Sequence, residues 1–284
     1  FDSFKGIDIA LFAGGSISKD FAPHAVKAGA VVIDNSSAFR MDPEVPLVVP
    51  EVNPQAILKH KGIIANPNCS TIIMVMALKP IYDLAKIKRV IVSTYQAVSG
   101  AGKEGIDELD AQVREHSEGR EMTANILPSA SAEKHYPIAF NLIPQIDVFC
   151  DNLYTKEEMK MVNETKKIME DYEMRITATT IRVPVYRSHS ESVNIELEKE
   201  VDLGAMREAL AKFPGVTVQD DPSKQEYPMP LYTSEKDDVY VGRLRRDESC
   251  EKSYNMWVVG DQIRKGAALN TLQIAETMIK NGWI

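Results

Sequence analysis

Up to Leu84 the chain alternates short apolar runs with turn residues and helical stretches, and this alternation leaves few folds open. Ile7 to Phe12 ends in Ala13-Gly14-Gly15-Ser16, Ala30 to Ile33 ends in Asp34-Asn35-Ser36-Ser37, and Gly62 to Ala65 stops at Asn66-Pro67-Asn68. Short apolar runs bounded by such residues read as buried strands followed by tight turns. Between the first two, Ser18 to Gly29 carries Phe21, Ala25, Val26 and Ala28, which suits a short crossover helix closed by Gly29. After the third, Ser70 to Leu84 is apolar nearly all round and reads as a buried helix. Strands and helices in strict alternation, joined by short turns, predict a parallel sheet covered on both faces.

Beyond Leu84 the pattern becomes α+β. Arg89 to Val98 reads as a long strand, Ile106 to His116 as a helix through Ile106, Leu109 and Val113, and Ile176 to Leu197 as two strands. Thr155-Lys156-Glu157-Glu158 has the form of a capping box, and the inward stripe behind it is read at Met161, Val162, Thr165, Ile168 and Met169. Asp202 is placed to cap a further helix through Leu203, Met206 and Leu210. A last helix, Ala267 to Lys280, is expected to bury Leu272, Ala275 and Ile279 and to return to the first domain. The expected fold is therefore α/β: an incomplete Rossmann-like dinucleotide-binding domain (1–68 and 267–284) and an α+β catalytic and dimerisation domain (69–266). There is no internal repeat.

Composition narrows the partners. The 284 residues carry a formal net charge of −8, which disfavours any ligand bound by neutralising a nucleic-acid backbone and suits a small molecule. Three cysteines, Cys69, Cys150 and Cys250, lie far apart with no CxxC pair or clustered histidines. This usage points to a reducing, cytoplasmic setting with no metal site. No apolar run approaches the roughly 18 residues of a membrane span. The chain opens on Phe1, with no charged segment followed by an apolar one, and a segment upstream is expected.

Cys69 is the position with most chemical potential. It follows a strand and a proline-containing turn and opens a helix, where unpaired N–H groups and the dipole favour an anion, so a lowered thiol pKa is expected. A lone cysteine among apolar residues is equally a small core residue. The neighbouring letters separate the two readings. Asn66-Pro67-Asn68-Cys69-Ser70-Thr71 resembles the active-site run of the aspartate-semialdehyde dehydrogenases, and further runs follow in that family's order. They are Asp34-Asn35-Ser36-Ser37-Ala38-Phe39-Arg40, Gln96-Ala97-Val98-Ser99-Gly100-Ala101-Gly102, Phe140-Asn141-Leu142-Ile143-Pro144, Arg182-Val183-Pro184-Val185, Ser188-His189-Ser190-Glu191 and Arg264-Lys265-Gly266-Ala267-Ala268-Leu269-Asn270. Each run is weak alone; their ordered combination over essentially the whole chain is specific.

The resemblance implies reversible, NADP(H)-dependent reduction of β-aspartyl phosphate to aspartate semialdehyde with release of inorganic phosphate, a step toward lysine, threonine, methionine and diaminopimelate. Covalent catalysis through a Cys69 thioester would split one hard step into two. His189 matches the family's acid/base histidine and Gln96 the glutamine that orients intermediates. Arg182 matches the arginine that forks onto the substrate carboxylate, Arg40 and Lys160 match phosphate-binding positions, Glu157 matches the residue facing the substrate amino group, and Asn68 is a further substrate-side residue. Without the family pattern, Glu157 and Lys160 would read as a solvated salt bridge three residues apart on one helix. For the cofactor, Gly14, Gly15 and Ser16 end a strand at the carboxyl edge of the expected sheet, where open α/β folds bind nucleotides. Ser99, Gly100 and Gly102 resemble the nicotinamide-side loop, and Asn270 a contact from the final helix. The family also carries an upstream strand and glycine-rich turn, and forms a homodimer or homotetramer. Two other readings stay open: an N-acetyl-γ-glutamyl-phosphate reductase, whose cysteine run usually differs after the nucleophile, and a non-catalytic homologue serving as an assembly module.

Overall fold

The computed structural model describes residues 2–284, apart from the side chains of Asp2 and Ser16. Strands β1 (Ile9–Phe12), β2 (Val31–Asp34) and β3 (Ile63–Ala65) form a three-stranded parallel sheet in the order β1-β2-β3. Helix α1 (Ser18–Lys27) makes the crossover between the first two strands, burying Ala22 and Ala25 while Phe21 stays 40% exposed. Parallel strands need such a crossover because their ends lie at opposite edges of the sheet.

Helix α2 (Cys69–Leu84) begins directly after β3 and buries Ser70 through Leu78 together. A helix apolar on all sides must be covered on all sides. On one side α2 packs on the second sheet; a Cβ added at Gly260 would come 2.9 Å from Ile73 Cγ1. That sheet has six strands: β4 (Ile87–Gln96), β5 (Arg175–Arg182), β6 (His189–Leu197), β7 (Val216–Val218), β8 (Val239–Arg246) and β9 (Ser253–Gly260). Their order is β5-β4-β6-β9-β8-β7. Strand β4 runs parallel to β5 and antiparallel to β6, with Gln96 opposite Arg182 and Tyr95 opposite Ser190. Gln96, Arg182 and His189 thereby come to one end of the sheet.

The remaining helices are α3 (Lys103–Ser117), α4 (Lys156–Ile168), α5 (Leu203–Lys212), the short α6 (Pro230–Thr233) and α7 (Leu269–Lys280). The capping box at Thr155 is present: its hydroxyl accepts from Glu158 N–H and Glu158 accepts from Thr155 N–H at 2.7 Å. Asp202 caps α5 through Gly204 and Ala205 N–H groups. Helix α3 departs from the expected stripe: Leu109 is buried, but Val113 is 39% exposed while Glu108 and Gln112 are buried. Glu108 accepts from the N–H groups of Asn125, Ile126 and Leu127, and Gln112 from those of Ile138 and Ala139. These polar side chains supply acceptors for an irregular segment that has no ladder of its own.

Helix α7 returns to the first sheet as expected, but with a different face. Ile274, Ala275 and Met278 pack with Ile33, Ile57 and Ile64, whereas Leu272 is 47% and Ile279 63% exposed. The helix is turned by Asn270, whose amide donates to Val48 O at 3.0 Å and Asn66 Oδ1 at 2.7 Å, so positions 270, 274 and 278 share the inner face. Among the described residues no helix is long and apolar enough to cross a membrane.

Candidate active site

Segments from both sheets, from α2 and α4 and from the turn before α7 meet at the carboxyl edge of the small sheet and the Gln96 end of the large one. They enclose an open cleft of about 680 Å³ lined, among others, by Arg40, Asn68, Cys69, Gln96, Glu157, Lys160 and Arg182. Ser99, Gly100 and Gly102 line it too, so most of the site residues expected from sequence share one space.

Cys69 is the first residue of α2. Asn68 caps the helix, its carbonyl oxygen accepting from Thr71 N–H at 3.1 Å and its amide donating to Glu157 Oε1 at 2.9 Å. Glu157 also accepts from Gln96 Nε2 at 3.3 Å and pairs with Lys160 at 3.1 Å. This carboxylate is 5% exposed, so the pair is no solvated surface bridge. Burial raises the Glu157 pKa, but Lys160 and the Asn68 and Gln96 amides outweigh it and hold the group below its usual value. The cysteine itself behaves otherwise than helix position alone suggests. Its thiol is pushed up to about 12, first by burial and then by Glu157, while Arg40, the Ser70 N–H and Arg182 pull down. The helix end is a fractional charge; a nearby full carboxylate and the loss of water outweigh it.

Arg40 is held on three sides, donating to Asn66 O at 2.9 Å, Asn35 O at 3.1 Å and Glu164 Oε1 at 3.3 Å. The other Glu164 oxygen accepts from Asn68 N–H at 2.6 Å, so one buried carboxylate braces both the arginine and the residue before the cysteine. Arg182 donates from Nη1 to Ala97 O at 2.6 Å. His189 is fully buried beneath Gly100; a Cβ there would come 3.3 Å from His189 Nε2 and 2.7 Å from Arg182 Nη1. Burial, and secondarily Arg182, holds the imidazole pKa well below its usual value.

Residues 98–102, packed against Arg182 and His189 through Gly100, and a π-helical turn, Arg264–Ala268, packed against Cys69 through Gly266, form a wall. Gly102 has φ of 83° and Gly266 lies where a Cβ would be 3.0 Å from Cys69 Cβ. Single π turns inside helices recur at functional sites, and here Lys265 anchors the turn, pairing with Glu51 at 2.5 Å and donating to Asn270 Oδ1 at 3.0 Å. Gly14 and Gly15 lie beyond Ala13, which is the residue of that turn on the cleft; the Ser16 side chain is outside the described ones. Asn270 is off the cleft lining, fully buried between Val48, Asn66 and Lys265. Its place is behind the wall. Sequence reasoning missed Glu164, Lys265 and Gln262, which bonds Ser99 Oγ and accepts from Ser188 N–H at 2.9 Å. Only the neighbouring Arg-Lys-Gly run gave a signal for Lys265. Among the described residues no cluster of His, Cys, Asp and Glu has the arrangement of a metal site.

Residues 78–265 match the family model described as the semialdehyde dehydrogenase dimerisation domain, and residues 1–60 match that of the semialdehyde dehydrogenase NAD binding domain. An aspartate-semialdehyde dehydrogenase from Aquifex aeolicus is 58% identical over 286 residues, spanning 100% of this chain and 82% of that protein. One from Bacillus subtilis is 54% identical, spanning 98% and 81%. The solved aspartate semialdehyde dehydrogenase II from Vibrio cholerae, complexed with ASA, superposes with a TM-score of 0.92 at 46% identity over 98% of this chain and 81% of that one. Matched over nearly its full length by relatives of one name and carrying both semialdehyde dehydrogenase domains, the chain belongs to the aspartate-semialdehyde dehydrogenase family.

Proposed function

We propose that this oxidoreductase interconverts β-aspartyl phosphate and aspartate semialdehyde, with phosphate as leaving group in the reductive direction, in the biosynthesis of lysine, threonine and methionine. The observation that carries the reading is one cleft holding a helix-opening thiol, two arginines and a Glu157–Lys160 pair, since the substrate bears a carboxylate, an ammonium and a phosphate together. Charges of both signs, set apart, are what such a molecule requires.

Arg182 is assigned to the substrate carboxylate, for which a guanidinium offers a two-pronged donor that lysine lacks. Glu157 is assigned to the ammonium, Arg40 and Lys160 to the phosphate, and Asn68 and Gln96 to the reacting acyl group. Cys69 attacks the acyl carbon as thiolate; the C–S bond forms and the bond to phosphate oxygen breaks. His189, buried beneath Gly100, is assigned as the acid/base group for the reacting carbon. The cleft wall fits a nicotinamide: Gly100, Gly102 and Gly266 keep it free of side chains, and a Cβ at Gly100 would strike Arg182. When bound, NADPH supplies the hydride. Ser99, Gly100 and Gly102 would hold its nicotinamide end, Gly14, Gly15 and Ser16 its nucleotide end, and Asn270 acts from behind the wall. We place the division between nucleotide-binding and catalytic parts at 68/69 and 266/267, and read the assembly as a homodimer in the reducing cytoplasm, where the free Cys69, Cys150 and Cys250 stay reduced.

The test is NADP reduction on adding aspartate semialdehyde and phosphate, with Cys69→Ala as control. Turnover is expected to fall by at least about 10³-fold in the variant, in keeping with losses from removing a nucleophile. Near wild-type turnover in C69A would exclude the thioester.

A further inference from the structure

Helix α4 carries a charged stripe at Glu157, Lys160, Glu164 and Lys167, with spacings that alternate between three and four residues. Such spacings keep side chains on one face of a helix. Glu157 and Lys160 line the cleft. Glu164 and Lys167 do not, and both reach Arg40 instead.

Glu164 is buried; one of its oxygens accepts from Arg40 Nη1 at 3.3 Å and the other from Asn68 N–H at 2.6 Å. Lys167 holds the main chain of the same segment. Its ammonium donates to the carbonyl oxygens of Arg40 at 2.8 Å, Asp42 at 2.7 Å and Val45 at 2.8 Å. An ammonium has three N–H donors, and all of them are committed to backbone. The guanidinium has five. Its Nε donates to Asn66 O, Nη2 to Asn35 O and Nη1 to Glu164, which leaves one N–H on each terminal nitrogen. Arg40 lines the cleft with Asn68 and Cys69, and N–H groups on two adjacent nitrogens are what a two-pronged contact with phosphate uses.

We propose that Glu164 and Lys167 are positioning residues for phosphate. From one helix they fix the side chain and the main chain of Arg40, and Glu164 ties the same helix to the peptide before the nucleophile, so α4 sets the spacing between Arg40 and Cys69. This rests on the dehydrogenase reading above, in which Arg40 meets phosphate. A free arginine side chain loses conformational freedom when it grips an anion, and a partner that has already removed that freedom raises the affinity. Glutamine in place of Glu164 keeps one accepting oxygen but turns an amide N–H toward the other donor, so either Arg40 or Asn68 loses its partner. Methionine in place of Lys167 keeps the length of the side chain and releases three carbonyl oxygens.

The two substrates of the oxidative direction separate this role from a general structural one. In Lys167→Met, KM for phosphate should rise by about 10-fold or more, while KM for aspartate semialdehyde, assigned to Arg182 and Glu157, stays within about 3-fold. An unchanged phosphate KM, or equal rises for both substrates, overturns the proposal. Glu164→Gln should raise the phosphate KM likewise and also lower kcat by about 10-fold, because it loosens the peptide before Cys69. An unchanged kcat there would break the link to the nucleophile. Lys167 is only half-buried, so its variant decides the matter even if Glu164→Gln does not fold. Protection of Cys69 from iodoacetamide by inorganic phosphate gives a reading without turnover: Lys167→Met should need about 10-fold more phosphate than wild type for half-protection. A wild type that phosphate does not protect, or a variant protected equally well, also overturns the proposal. An inactive wild type whose protection shifts in the variant counts against the dehydrogenase reading alone, and an active one with an unshifted phosphate KM against the positioning role alone.

Discussion

Cys69 is placed where a helix should activate it, yet its surroundings hold the proton on sulfur until charge in the cleft changes. Burial and the Glu157 carboxylate raise the thiol pKa to about 12, against Arg40, the Ser70 N–H and Arg182. A neutral group in place of Glu157 removes one raising influence, so Glu157→Gln should speed alkylation of Cys69 by iodoacetamide at pH 8 by about 3- to 10-fold, corresponding to a shift of about half to one pKa unit. The log rate in the unliganded wild type should climb with pH through at least pH 9 without levelling, because the thiolate fraction keeps rising toward its pKa. A plateau below pH 8 would mean that the helix end outweighs the carboxylate after all. An ammonium bound beside Glu157 would act in the same direction as the substitution and lower the Cys69 pKa.

Among the elements, α4 does most to join chemistry to fold. Its sequence reads as an ordinary amphipathic helix, but Glu157, Glu158 and Glu164 are buried with Met161 and Ile168. Glu158 accepts from Thr155 N–H at 2.7 Å and from Thr180 N–H at 3.0 Å, fastening the start of the helix to β5. Replacing it by alanine leaves two N–H groups without an acceptor, and Glu158→Ala should cost about 2–4 kcal/mol in urea unfolding. Each stranded buried donor costs roughly 1–3 kcal/mol. Thr155→Ala, which removes the cap acceptor and a 3.4 Å contact with the Thr180 hydroxyl but keeps the Glu158 carboxylate on β5, should cost about 1 kcal/mol. Equal losses in the two variants would argue against the β5 attachment.

At the level of the assembled chain, the two sheets are held together by polar as well as apolar contacts. Asn66 receives Asn270 on one oxygen and donates to Asn35, while Lys265 reaches Glu51, so the last helix, the cysteine turn and the loop before β3 are tied to one another. Burial without compensation has a global consequence at Glu191, whose two carboxyl oxygens are buried without partners among the described residues on the His189 face of β6. Burial drives its pKa well above 4.5. The folded state therefore retains a proton that the unfolded chain releases, and stability falls as pH rises from about 4.5 toward the raised folded value. Glu191→Gln, neutral in both states, should remove this loss: its melting temperature relative to wild type should rise between pH 5 and pH 8. A difference independent of pH would show that Glu191 is ionised in the fold.

Much of this organisation was legible from local sequence. Apolar runs with turn residues placed the first strands and α2, the Thr155 and Asp202 caps marked helix starts, and the ordered motifs named most residues of one cleft. Those features are decided over a few neighbouring residues, by periodicity, capping and backbone stereochemistry. The face of α7, the inward Glu108 and Gln112, the brace at Glu164, the bridge at Gln262 and the direction of the Cys69 pKa were not legible. Each depends on which distant N–H, carbonyl or charge arrives beside a polar side chain. Burying a polar group is favourable only once that partner is present, and the partner is supplied by packing between segments far apart in the chain.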